Sequence, residues 1–144
     1  MSDIPAIEQL QRRFAELLAE ARRLDLSEVG QKEPTKLLLL LAARFEYDVR
    51  QGGFAQLLYN MKGDFLAEIE DMLVAASAPV AREYYVRAIR ACLDKEPDYQ
   101  RFLASDFLAP NALKDALHKV SLEYFAKDVS FATEAAAFLT EGGT

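Results

Sequence analysis

A chain of 144 residues has the length of one domain, and 51% hydrophobic with 28% charged residues is the composition of a folded core under a mixed-charge surface. Its 23 acidic residues against 17 basic ones give a net charge of −6 and a pI near 4.9, the reverse of the basic footprint that displaces phosphate counterions; this argues against direct nucleic-acid binding and favours a basic protein partner. No run of about 18 apolar residues is available to cross a bilayer, Asp3 and Glu8 stand where a secretion signal is basic, and Cys92 has no second cysteine to pair with, so the expectation is a cytoplasmic protein without membrane contact.

The first helix is read from Ile4 to Leu24, where Ile7, Leu10, Phe14, Leu17, Leu18 and Ala21 repeat at the three-four spacing of one apolar stripe. Ser2 or Asp3 can cap it and Pro5 suits its first turn. Asp25 to Glu33 reads as a loop, and Pro34 opens a second helix that is apolar on nearly every side from Leu37 to Ala43, as a helix covered by others must be. After Asn60 a Met-Lys-Gly turn leads to Asp64, a candidate amino-terminal cap for a helix to about Ala76, with Glu68, Glu70 and Asp71 outward and no Lys or Arg of that helix to pair with them. Pro79 opens a helix that carries Arg82, Arg87 and Arg90 outward. Asp94 to Asp98 reads as an acidic loop containing Pro97, followed by a short helix through Phe102, and Asn111 can cap a helix to about Lys127. Val129 to Leu139 continues that helix or restarts at Ser130, and Glu141 to Thr144 is a tail. Strand alternation and hairpin dipeptides are missing, so the expected fold is all-α: a single-domain bundle over residues 1–144, of about six or seven helices around a buried central helix.

The stretch Phe45 to Asn60 contains the Gly52-Gly53 pair between an apolar helix to Val49 and a short helical segment, Phe54 to Tyr59. Glycine supplies the positive φ that ends a helix, so the pair predicts a tight reversal, with Phe54 packing back on the incoming helix and Gln56 and Asn60 offering amides to loose backbone groups. Asp48-Val49-x-x-Gly52-Gly53-Phe54-x-Gln56-x-x-x-Asn60, followed by a glycine turn, a helix and the Ala75-Ala76-x-Ala78-Pro79 junction, resembles the signature of the DNA-mimic protein nineteen family over about residues 37–93. Two departures from that pattern stand out: Asp48 stands for a Glu, and Arg50 with Gln51 for Asn-rich residues. The resemblance implies a non-enzymatic acidic interaction module, a DNA mimic that inhibits a DNA-binding regulator. Asp48, Gly52, Gly53, Phe54, Gln56 and Asn60 are then the shared family corner.

The chemistry-bearing residues fall short of a catalytic or metal site. His118 and Asp115 share a helical face, but a zinc or di-iron centre needs further ligands, so neither metal nor cofactor is expected. Cys92 lies on an apolar face, Gly52-Gly53 lacks the rest of a phosphate loop, and Glu46 with Asp48 would need a partner across the bundle to act as an acid/base pair. Glu46 also stands four residues before Arg50, in position for a helical ion pair. A mimic's carboxylates must share one face, because duplex DNA carries one charge per ~1.7 Å of axis. The residues assigned to that acidic patch are Glu68, Glu70 and Asp71, then Asp94, Glu96 and Asp98. Solvated helix faces are the plainer account of the same residues. Other readings stay open: an immunity or antitoxin-like protein facing a basic toxin, a small-molecule or enzymatic pocket beside Asp48, Gln56 and Asn60, and a homodimer through the Phe131 to Leu139 face.

Overall fold

The computed structural model describes residues 6–141, so the caps expected at Ser2 or Asp3, the Ile4-Pro5 start and the final Gly-Gly-Thr lie outside the described residues. Eight helices make up the described chain: α1 (Ala6–Arg23), α2 (Leu26–Lys32), α3 (Pro34–Met61), α4 (Leu66–Ala75), α5 (Pro79–Asp94), α6 (Glu96–Ala104), α7 (Ala112–Phe125) and α8 (Phe131–Glu141), with no strand among those residues. The fold is all-α.

The helix in place of the expected Asp25 to Glu33 loop has a local cause. Asp25 is its N-cap, accepting from the Ser27 and Glu28 N–H groups, and Val29 turns inward to anchor the single face that so short a helix can bury. Pro34 opens α3 at a position where a missing N–H costs nothing. Buried side chains run the length of α3, from Leu37 to Met61, and it packs against α1, α2, α4, α7 and α8. Phe45 lies edge-on to Phe54 at 6.1 Å and to Tyr85 of α5 at 6.3 Å, and tilts on Phe131 of α8 at 4.8 Å. Phe54 meets Tyr124 of α7 at 5.7 Å, so aromatic contacts join α3, α5, α7 and α8. Each such pair is worth about 0.5–1.5 kcal/mol beyond its area burial.

Two sequence expectations are corrected by these boundaries. Asp64 does not cap α4: Phe65 holds the N-cap position with φ +62° and offers no side-chain bond, while the Asp64 N–H closes the preceding turn on the Met61 carbonyl. The acidic loop from Asp94 to Asp98 is absent, because α5 continues to Asp94 and α6 begins at Glu96 with Pro97 in its first turn, leaving Lys95 alone between them. Within the Phe131 to Leu139 face, Phe131, Ala135 and Leu139 point inward. They lie in the core, where Phe131 faces Phe14 of α1 at 6.4 Å and the Leu139 carbonyl accepts from Arg13 Nε at 3.1 Å.

Candidate functional site

At Gly52-Gly53 the helix breaks without a loop. Gly52 (φ −144°, ψ 17°) and Gly53 (φ 71°, ψ −167°) leave helical geometry, and helical residues follow at once, so a two-residue break inside α3 replaces the expected helix-ending turn. Gly53 requires glycine twice over: its φ is left-handed, and a Cβ there would overlap the Ser121 side chain. The break deprives the Phe54 N–H of a helical acceptor. Ser121 of α7 supplies one, accepting from it at 2.9 Å while donating to the Leu117 carbonyl at 3.0 Å.

Asp48 lies on the near side of the break and is 1% exposed. Its Oδ1 accepts from Gln56 Nε2 at 3.3 Å and from Asn60 Nδ2 at 3.2 Å, two amides from the far side. These amides therefore hold a carboxylate and not the loose backbone groups that the sequence reading gave them. Among the described residues Oδ2 has no hydrogen bond, and the Arg44 guanidinium stands 3.7 Å from it. Burial raises the Asp48 carboxyl above its ordinary range, opposed by Arg44, by the Gln56 and Asn60 amides and by Arg22. Burial likewise raises Glu46, against the pull of Arg50 at 2.6 Å. Asn60 borders a space of about 380 Å³ shared with Arg22 and Arg44, and Asp48 and Gln56 are not in its wall.

The six acidic-patch residues do not behave alike. Glu70 points across to α5, where Arg82 holds it at 2.9 Å, and Asp98 pairs with Arg101 one turn along α6. Glu68, Asp71, Asp94 and Glu96 make no ion pair among the described residues. Glu68 and Asp71 border one depression with the end of α2 and the start of α3, while Asp94 and Glu96 flank the α5–α6 junction and are exposed. The structure thus separates the α4 triad into a paired residue and two unpaired ones.

Groups with catalytic potential are dispersed. Cys92 is buried and its thiol is pushed up to about 11 by that burial, so little nucleophilic thiolate exists at neutral pH. His118 is half-buried beside Gly52, Gly53 and Ser121, and no three His, Cys, Asp or Glu side chains converge as metal ligands among the described residues.

Two residues that the sequence reading passed over do structural work. Ser121 carried one faint signal, a polar residue four after Leu117 on the apolar stripe of α7. Glu134 of α8 accepts from the Val80 and Ala81 N–H groups, both at 3.0 Å, and so caps α5 from another helix; nothing local in the sequence marks it.

Fold and site together define an all-α protein with a glycine break inside α3 and, among the described residues, carboxylates without ion pairs. The family model described as DMP19-like protein matches residues 30–141, and the chain belongs to that family. The match extends beyond the motif to take in α6, α7 and α8, including Ser121 and Glu134. No curated protein and no solved structure matches the chain.

Proposed function

We propose that this protein is a non-enzymatic interaction module that mimics DNA, presenting carboxylates to the basic DNA-binding face of another protein. The observation that carries this reading is that a member of the DMP19-like family leaves Glu68, Asp71, Asp94 and Glu96 without cationic partners among the described residues. Unpaired carboxylates keep their full field for an incoming Lys or Arg, whereas Glu70 and Asp98 must first give up Arg82 and Arg101. Association of this kind is steered by opposite charge and weakens with salt. The corner residues Asp48, Gly52, Gly53, Phe54, Gln56 and Asn60 serve this function indirectly, by fixing the course of α3 under the surface helices.

The test is affinity capture from the native host's lysate at low and high salt, with duplex DNA as competitor. A basic DNA-binding protein that is released by salt and displaced by DNA supports mimicry. A basic toxin that DNA does not displace replaces mimicry by the immunity reading, and a partner retained equally at both salts removes the acidic surface from the account.

A further inference from the structure

The α3 segment before the break, the end of α7 and the α7–α8 turn enclose a cavity of about 260 Å³. Phe45, Tyr124, Phe125 and Phe131 wall it, and Glu46, Arg50 and Lys127 add the charge. Its size exceeds the ~150 Å³ that accommodates benzene in an apolar protein cavity and lies just below the ~300 Å³ where drug-sized sites begin. One ring with a short chain matches that space.

The polar groups decide what the ring carries. The Glu46 carboxylate is held by Arg50 at 2.6 Å, and its side chain is only 12% exposed. Arg50 is 63% exposed, so the guanidinium keeps donors on its solvent side, and Lys127 is exposed with no ion pair among the described residues. Within the wall itself two cations stand against one carboxylate, which is already held. Two further acids lie outside the wall: Asp128, beside Lys127 in sequence, and Glu134, both of whose oxygens accept from the start of α5. A second, independent observation is the Tyr124 hydroxyl. Tyr124 is 5% exposed, its oxygen is buried without a hydrogen-bond partner among the described residues, and it lies within electrostatic reach of Glu134, Glu46 and the Phe131 N–H. A buried O–H with no acceptor is a donor awaiting one.

We infer that this cavity binds a small monocarboxylate built on one aromatic ring, with the ring among Phe45, Tyr124 and Phe131 and the carboxylate meeting Arg50 and Lys127. An ammonium ligand is disfavoured, because it would approach Arg50 and Lys127 while the nearby carboxylate is already held. The site stands apart from the acidic surface of α4 to α6, so it does not rest on the mimicry reading.

The experiment is amide-resolved NMR titration of the full chain with 3-phenylpropanoate, 3-phenylpropan-1-ol and 2-phenylethylammonium. The expected result is saturable shifts at residues 45–50 and 124–131 with the carboxylate, and binding weaker by roughly tenfold for the alcohol and the amine. Lys127→Gln, which leaves the Glu46–Arg50 pair in place, and Arg50→Gln each weaken the carboxylate by roughly three- to tenfold, the range for exposed and part-buried charge contacts. Both side chains are exposed, so the variants retain the wild-type spectrum elsewhere and the same partner capture. Equal binding of the alcohol or the amine overturns the carboxylate assignment, and shifts that do not saturate by about 20 mM overturn the site.

Discussion

Asp48 concentrates the energetics of the α3 break in one side chain. Asp48→Ala leaves the half-buried Gln56 amide, the half-buried Arg44 and the exposed Asn60 amide without their acceptor, and should lower unfolding free energy by about 2 kcal/mol in urea melts. Asp48→Asn keeps a carbonyl for the amides and should cost clearly less; equal losses for the two variants would dismiss the network. The pH dependence follows from the raised carboxyl. The folded protein holds this proton more tightly than the unfolded chain, so the contribution is complete below the ordinary value of 3.8 and is lost as pH rises through the elevated one. Against Asp48→Asn, which has no proton to lose, the wild type should therefore lose ground as pH climbs from about 4 to 7. The opposite trend would mean that Arg44 outweighs burial. Gly53→Ala combines positive φ with overlap on Ser121, and should cost more than Ser121→Ala, which leaves the Phe54 N–H unpaired for about 1–2 kcal/mol. At this scale the sequence revealed the glycines, through their conformational freedom, and the residues Asp48, Gln56 and Asn60, through the motif. It did not reveal that the amides meet the carboxylate, because that pairing depends on the path of the chain through the break.

Between elements, the start of α5 shows how one helix is completed by another. Ala78 occupies its N-cap position without a side-chain bond, and Glu134 of α8 fills that role across 53 residues of chain. Glu134→Ala should lower stability by about 1–2 kcal/mol, from loss of two charge-assisted bonds at a helix amino terminus. Amide hydrogen exchange at Val80 and Ala81 should accelerate more than at the centre of α5. Uniform acceleration along α5 would instead indicate global destabilisation and no capping role. Local signals did mark caps where the partner is local: Asn111 accepts from the Leu113 and Lys114 N–H groups, and Pro34 and Pro79 open their helices. They failed at Asp64, whose cap-like identity was overridden by the left-handed Phe65. They failed again at Asp25 to Glu33, where acidic residues and Gly30 read as loop although Asp25 caps a helix anchored by Val29.

For the whole molecule the question is which carboxylates remain available to a partner. Composition gave the excess of negative charge, and its arrangement depends on packing that no linear spacing encodes: Glu70 and Asp71 are adjacent in sequence, yet Glu70 is held by Arg82 of α5 while Asp71 borders the depression beside α2 and α3. This difference gives the mimicry reading an internal control. Changing Glu68, Asp71, Asp94 and Glu96 together to Gln or Asn should weaken a captured basic partner by roughly tenfold or more at low salt, taking up to about 1 kcal/mol for each exposed charge contact. Changing Glu70 and Asp98 alone should have a smaller effect, because each removal also frees Arg82 or Arg101 from an existing pair. Helical circular dichroism should remain at the wild-type level in both sets, since none of these six side chains belongs to the buried core. If both sets lose affinity only in proportion to net charge, the partner responds to the overall field of the chain. Loss concentrated in the unpaired set is the outcome that a surface built to stand in for a phosphate backbone requires.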